Sequence, residues 1–315
     1  MMEPRPGWMP PIPGPLQRLF DLFPLVTYPA NELPSRSPGP SNLPTLYVFA
    51  SEEGARKGSP SFNPTCLKWQ TFLKIAGVQF RIVPSTNHAS PTGALPFLLP
   101  PNPSPPPSTQ PPSSSSSSSS APRPPQLPIP STSLPKYALT HGLTPSPPSP
   151  PHPRQQAYQS LLDGPLRSAW LHALYLTPSN TPLLRTLYAH PATTSTPIQS
   201  LLLHHLRRAA AAELPSHHQD RPDDLYSEAA SALSALAALL ADSGTGWFFG
   251  RAAPGEFDAA VFAYTQLLLG GGLAWVDRRL ADLARDAGEG ELVGHRGRIW
   301  DLYWGEDGGE GENEG

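Results

Sequence analysis

The sequence predicts an α+β fold in which a small domain with β-strands precedes an all-helical domain. Segments rich in β-prone residues occur only in the first third of the chain, at 46–50, 80–83 and 97–99. Beyond residue 155, apolar residues recur every three or four positions, as they do in amphipathic helices. Between these regions, residues 100–153 are dominated by Pro and Ser, so they separate two folding units.

The first domain is predicted to have the order strand, helix, strand, loop, strand. Its helix has a clear start, because Asn63 can cap the free N–H groups and Pro64 takes the first helical position, where its missing N–H has no cost. Gly77 is expected to end the helix in a left-handed conformation. One face of this helix is apolar and is formed by Cys66, Trp69, Leu73 and Ala76.

The second domain is predicted to contain about six helices, at 157–176, 198–213, 225–241, 257–269, 273–287 and 293–304. Asp223 and Asp224 are expected to cap the third of them. The most apolar stretch, 259–275, is about as long as the shortest membrane spans. We interpret it as a buried core helix, because Gln266 interrupts it and charged residues flank it on both sides.

Three regions outside these domains have distinct compositions. They are a Pro-rich arm at 1–45, a Pro- and Ser-rich insertion at 100–153 that is predicted to be disordered, and an acidic tail at 305–315. The segment 134–143 is either part of the insertion or a short helix that completes the first domain, since Pro135 weakens the helical pattern. The arm carries one apolar patch, which either packs on its own chain or docks on a partner: Leu16, Leu19, Phe20 and Phe23.

Charge and cysteine content argue against several functions. The formal net charge is −3, and the acidic tail accounts for it, so the nearly neutral body does not favour nucleic-acid binding. The same neutrality implies that protein contacts, and not anionic lipid, hold the chain at a membrane. The single cysteine, Cys66, cannot form an internal disulfide, which favours a reducing compartment such as the cytosol. The Pro-rich N-terminus does not resemble a cleavable targeting peptide.

Two motifs resemble the glutathione transferase fold. The run Gly-Ala-Leu-Pro-Phe-Leu at 93–98 places Pro96 directly before the third strand, where the proline of thioredoxin-like domains is cis. Later, Gly255 precedes a helix and Asp258 follows three residues on, so that its carboxylate can reach back to the free N–H groups. The resemblance implies a thioredoxin-like domain and a C-terminal all-helical domain, at 46–99 and 155–304.

In finer detail the chain resembles the metaxins, especially their smaller fungal type, over residues 64–74, 87–98 and 157–176. The resemblance implies a non-enzymatic, cofactor-free subunit of the mitochondrial outer-membrane sorting and assembly machinery, attached peripherally on the cytosolic face. The implied partners are a central β-barrel channel subunit, a second metaxin-type subunit and β-barrel precursor proteins. The loop before Pro96 then offers three candidate partner-binding residues beside the arm patch: Asn87, His88 and Ser90. For His88 alone, the residues favour a hydrogen bond to the backbone that holds the loop over a contact with a partner.

The alternative function is that of a divergent glutathione-dependent transferase. Such an enzyme needs a hydroxyl or thiol at the start of the first helix, and a Glu/Gln-Ser pair after the fourth strand. Cys66 lies near the first position, but the apolar face around it indicates a core residue; Ser131 follows Pro130 instead of an acid or amide. No metal site is predicted either, because two adjacent histidine pairs lack further ligands at metal spacing: His204–His205 and His217–His218.

Overall fold

The computed structural model describes residues 43–101, 127–143, 153–215 and 221–305. The arm patch, most of the insertion and the acidic tail from residue 306 lie outside these ranges. The described part of the first domain contains, in order, β1 (Thr45–Val48), α1 (Glu52–Arg56), α2 (Pro64–Ile75), β2 (Arg81–Pro84), β3 (Phe97–Leu99), β4 (Ile129–Pro130) and α3 (Leu134–His141).

The strands form one mixed sheet in the order β2-β1-β3-β4. β1 and β2 are parallel, with Leu46 opposite Ile82, and α2 supplies the crossover that a parallel pair requires. β3 lies antiparallel to β1 and to β4. The core of this domain combines the sheet with α2 and α3, and its most buried aliphatic side chains are Leu46, Val48, Leu73, Leu98 and Leu134.

The insertion is shorter than the sequence predicts. Leu98 in β3 pairs with Ile129 in β4, so the chain leaves the sheet and returns to it on adjacent strands. Of the two alternatives for 134–143, the structure shows the short helix that completes the first domain, α3, and β4 at Ile129–Pro130 is an addition that the sequence did not predict. Pro135 is compatible with α3 because it lies in the first helical turn, where backbone N–H groups have no helical partner. α3 adds three side chains to the core: Leu134, Tyr137 and Ala138.

The second domain is helical throughout the described residues. Pro165 lies inside the π-helical turn Leu162–Leu166. Proline has no backbone N–H, so it cannot donate the regular helical hydrogen bond at this position. The elements are α4 (Gln155–Leu161 and Arg167–Leu171, with π-helical turns Leu162–Leu166 and His172–Leu176), α5 (Thr181–Leu184, with the π-helical turn Arg185–Ala189), α6 (Thr196–Glu213), α7 (Pro222–Ala241), α8 (Glu256–Leu269), α9 (Arg279–Asp286) and α10 (Glu291–Tyr303).

Three features of this domain differ from the prediction. α5 was not expected from the sequence. α9 begins at Arg279 instead of residue 273, because the preceding segment folds over α8, where the Trp275 indole N–H donates to a backbone carbonyl at 2.9 Å. α7 begins at Pro222, so Asp223 and Asp224 lie in its first turn and do not cap it. Their negative charges still stabilise the helix, because its N-terminus carries the positive end of the helix dipole.

α2 is buried on two sides and belongs to both cores. Cys66, Trp69 and Leu73 pack in the core of the first domain, as predicted, whereas Leu67 packs in the core of the helical domain. Among the described helices, α8 and α2 share the largest packing contact. An ion pair between Lys68 Nζ and a carboxylate oxygen of Glu256, 2.7 Å apart, also joins the two helices. The two domains therefore share one continuous packed seam.

α8 is the buried helix that the apolar stretch predicts. Every residue from Phe257 to Leu268 is buried, including the polar side chains of Thr265 and Gln266. Burial all round identifies a central core helix. Across the described ranges, the structure has no helix that is both long and apolar enough to cross a bilayer.

A buried polar network begins at the Asp258 carboxylate. Its Oδ2 accepts a hydrogen bond from the Gly255 N–H at 2.9 Å, which confirms the predicted reach-back. Its Oδ1 accepts from the Phe248 N–H at 3.0 Å and from His295 Nε2 at 3.1 Å, two contacts that the sequence does not reveal. The network fixes the turn in which Phe249 adopts a φ of 62°, a conformation that is unfavourable for residues other than glycine.

We predict that Asp258→Ala lowers the free energy of unfolding by about 3–5 kcal/mol, because the substitution leaves two backbone N–H groups, one of them buried, and the buried His295 imidazole without their acceptor. Asp258→Asn keeps one acceptor oxygen and should cost less. Urea denaturation followed by circular dichroism measures both effects. Asp301→Ala, at an exposed helical position, should stay within about 0.5 kcal/mol of the wild type. Equal losses for the two alanine variants would contradict the proposed importance of the network.

Candidate functional site

A cleft lies where the carboxyl ends of β1 and β2 meet the helical domain. Its volume is about 250 Å³. The loops after β1 and β2 form one wall, and the end of α5 with the residues that follow it forms the other. The lining is mainly apolar and aromatic and includes Phe49, Phe62, Thr86, Leu187, Tyr188 and Pro191. A concave, mostly apolar site between domains is a common setting for ligand binding.

Aromatic rings form the inner wall of the cleft. The Tyr188 ring meets Phe49 and Phe62 edge to face, with centroid distances of 5.3 and 5.2 Å. The Tyr188 hydroxyl oxygen accepts a hydrogen bond from Asn63 Nδ2 at 3.3 Å. Edge-to-face pairs stabilise the packing beyond the area that they bury. Tyr188 therefore fastens the helical domain to the start of α2.

The polar groups at the start of α2 are engaged in structural hydrogen bonds. Asn63 Oδ1 accepts from the backbone N–H groups of Thr65 and Cys66, at 3.1 and 3.2 Å, which confirms the predicted cap. The Ser61 hydroxyl donates to the Phe49 carbonyl oxygen at 2.6 Å. The cap thus occupies N–H groups that an anionic ligand would otherwise contact at a helix N-terminus.

Cys66 lacks the properties of a reactive thiol. The side chain is fully buried, and burial raises the pKa of the thiol to about 12, although hydrogen bonds with Phe49 and Ser61 oppose the shift. The thiol therefore stays protonated near neutral pH, whereas the nucleophile would be the thiolate. Burial also raises the pKa of Tyr175 and that of Tyr188. These groups offer hydrogen bonds and apolar surface instead of a nucleophile or base.

The loop before β3 is held by two of the three residues that the sequence singles out. The Leu95–Pro96 peptide bond is cis, as expected. Asn87 Oδ1 accepts from the Leu95 N–H at 3.1 Å, and the Ser90 hydroxyl donates to a carbonyl four residues on at 2.6 Å. His88 is exposed, and its imidazole makes no hydrogen bond to the described part of the chain. Asn87 and Ser90 therefore hold the loop, and the expectation that His88 holds it through a backbone hydrogen bond is wrong for the described residues.

The residues after β4 do not form the Glu/Gln-Ser pair that a glutathione transferase needs at this position. β4 ends at Pro130, and Ser131 begins a 3₁₀ helix. In the family that the sequence resembles, an acid or amide precedes this serine. The Pro130 side chain has no hydrogen-bonding group, so it cannot supply the missing contact.

The histidine pair that the structure describes does not assemble into a metal site. His204 and His205 are neighbours on α6, with ring centroids 6.0 Å apart. Within the residues that the structure describes, no group of three or more His, Cys, Asp or Glu side chains is placed to hold a metal ion. The pair His217–His218 lies outside those residues, as do the candidate binding residues of the arm patch.

Sequence reasoning missed the aromatic wall of the cleft. Tyr188 lies in α5, which the sequence did not predict, and Phe62 precedes the cap of α2. The signal for α5 is a short apolar repeat at helical spacing: Leu183, Leu184, Leu187 and Tyr188. The contact between Tyr188 and Asn63 joins residues far apart in the chain, so local periodicity cannot reveal it.

Two family models match separate parts of the chain. A family model described as the glutathione S-transferase N-terminal domain matches residues 64–116, and one described as the glutathione S-transferase C-terminal domain matches residues 229–299. Among solved structures, glutathione S-transferase III in its apo form is similar at 14% identity and a TM-score of 0.32, over 83% of this chain and 90% of that chain. No curated protein matches the sequence.

The family matches and the architecture describe the same arrangement. The first model covers α2, β2, the cis Pro96 and β3, and the second covers most of α7, all of α8 and most of α10. The order of elements, the cis proline and the Asp258 network all follow the pattern expected from the sequence. The chain therefore has the glutathione-transferase-like fold, with a thioredoxin-like first domain and an all-helical second domain.

Proposed function

We propose that this protein is a non-enzymatic, metaxin-like subunit of the mitochondrial outer-membrane sorting and assembly machinery. In this proposal it lies peripherally on the cytosolic face and binds the central β-barrel subunit beside a second metaxin-type subunit. It aids the recognition and insertion of β-barrel precursors. The support for this identity is the resemblance of residues 64–74, 87–98 and 157–176 to the metaxins.

The state of Cys66 is the observation that favours binding over catalysis. Glutathione transferases activate a thiol with a hydroxyl or thiol group near the start of the first helix. Here Cys66 is fully buried with a raised pKa, and the Ser61 hydroxyl donates to a backbone carbonyl. Tyr188, which lines the cleft, has a raised pKa as well. The cleft thus suits the recognition of a partner better than the activation of a thiol.

Two sites are available for partner contacts in this proposal. The first is the arm patch, whose exposure would offer four large apolar side chains to a partner groove. The second is the exposed His88, which lies two residues after Thr86, a residue of the cleft lining. Asn87 and Ser90 hold the loop that presents His88, so their contribution to a partner contact would be indirect.

We predict that the protein neither binds immobilised glutathione nor conjugates glutathione to chlorodinitrobenzene. The reason is that neither the buried Cys66 thiol nor the Ser61 hydroxyl is free to activate a thiol near the start of α2, and that Pro130 precedes Ser131 where a transferase needs an acid or amide. An active glutathione transferase serves as the positive control. Conjugation that Cys66→Ser abolishes would support the alternative, a divergent transferase.

Alkylation provides a separate test of Cys66. With a pKa of about 12, the thiol holds roughly a thousandfold less thiolate than a free cysteine of pKa about 8.5 at the same mildly alkaline pH. Iodoacetamide should therefore modify the folded protein far more slowly than the urea-unfolded chain, as mass spectrometry can follow. Similar rates in both states would show that Cys66 is accessible and ionised.

We predict that Leu19→Ser/Phe20→Ser reduces co-purification with the barrel subunit from mitochondria. Removing two apolar contacts should weaken assembly by about 3 kcal/mol or more if the arm patch docks on the partner. His88→Ala tests the loop in the same assay. Leu302→Ser, at a leucine that is 62% exposed on α10, is the matched control and should leave assembly unchanged. Full assembly by both test variants would place the contact elsewhere.

A further inference from the structure

The charges of the helical domain are segregated along the chain. From Gly164 to Ala212 the sequence contains no Asp or Glu, but it contains four Arg and four His. The nearly neutral net charge therefore hides a region in which all ionisable side chains except tyrosines are basic, so the expectation that anionic lipid plays no part does not follow from the net charge. This region forms most of α4, all of α5 and nearly all of α6. Such a segregated field attracts anionic partners even when the whole chain is close to neutral.

Some of these basic side chains are used inside the domain. Arg167 pairs with Glu213, Arg207 donates to the Tyr175 carbonyl oxygen, and a ring nitrogen of His172 is hydrogen-bonded to the Tyr226 hydroxyl. The remaining basic residues of the region are exposed, and no carboxylate among the described residues pairs with them: Arg185, His190, His204, His205 and Arg208. These residues are available to an external anion.

α6 presents three of these residues on the same side as two exposed apolar side chains. Its buried side is formed by Gln199, Leu203 and Ala210. At 100° per residue the opposite side carries a set that we call the outer face of α6: Ile198, Leu201, His204, His205 and Arg208. Ile198 and Leu201 are 55% and 57% exposed, so both side chains are accessible from solvent.

We propose that the outer face of α6 docks on an anionic lipid bilayer. A helix that lies flat on a membrane places apolar side chains among the acyl chains and basic side chains at the phosphates. Ile198 and Leu201 suit the first role, whereas Arg208 and the two imidazoles can donate hydrogen bonds to phosphate oxygens. α6 has 18 residues, so it provides a contact about 27 Å long.

A bilayer explains the distribution of these residues better than a groove on an acidic protein. The π-helical turn Arg185–Ala189 packs against α6, and it brings the exposed Arg185 into the same basic region. A groove that receives one helix would contact α6 alone. A bilayer surface is broad, and its mobile anionic headgroups need no fixed geometry, so they can meet basic residues on both elements.

The test is co-sedimentation of the full chain with lipid vesicles. Vesicles of phosphatidylcholine with roughly 30% phosphatidylserine should bind the protein at least tenfold more tightly than vesicles of phosphatidylcholine alone. Leu201→Ser/Arg208→Glu should reduce this binding by about tenfold or more. The matched control is Leu302→Ser/Lys136→Glu, which makes the same changes at exposed positions outside the outer face and should stay within about twofold of wild type. Circular dichroism melting confirms that each variant is folded.

Three outcomes would overturn the proposal. They are equal losses in the two double variants, equal binding to neutral and anionic vesicles, and the absence of vesicle binding together with retention on immobilised polyglutamate. The last outcome would assign the outer face of α6 to an acidic protein. The vesicles contain no protein partner, so the result is independent of the proposed role in outer-membrane sorting.

Discussion

The helix α2 is buried on two sides, and the arrangement of both domains depends on this. Its Cys66 side packs with the sheet, and its Leu67 side packs in the helical core, against which α8 lies. A surface helix buries one stripe and leaves the opposite face in water. α2 leaves little surface free, so it acts as a shared core element between a small sheet and a larger helical domain. Without the helical domain, the first domain would expose the apolar face that carries Leu67.

The position of α2 also determines the chemistry of the cleft. The helix starts at the seam between the domains, and Asn63 both caps it and donates to Tyr188 on the opposite wall. Because Cys66 packs on the sheet side of α2, in the core of the first domain, it is removed from water and its pKa rises. The packing that stabilises the fold therefore makes the nearest thiol unreactive. This is the physical reason for preferring a binding protein to an enzyme in our proposal.

The turn before α8 depends on one buried group, the Asp258 carboxylate. The backbone at Phe249 is in the left-handed region, which costs free energy for a residue with a side chain. The Asp258 carboxylate holds the adjacent Phe248 N–H, and His295 from α10 shares the same oxygen. The network therefore connects the turn, the start of α8 and α10 at one buried point. A buried carboxylate is stable only when such partners surround it.

Much of the fold could be predicted from the sequence because local signals specify it. The cap Asn63, the helix stop at Gly77, the cis Pro96 and the carboxylate of Asp258 each act within a few residues of their own position. Helical periodicity likewise located α4, α6, α7, α8 and α10. Only the tertiary structure reveals the pairing of β4 and the burial of α2 on a second side. The same holds for the hydrogen bonds of Tyr188 with Asn63 and of His295 with Asp258. These interactions link residues distant in the chain, and whether a face is buried or exposed depends on which element packs against it, which no local pattern records.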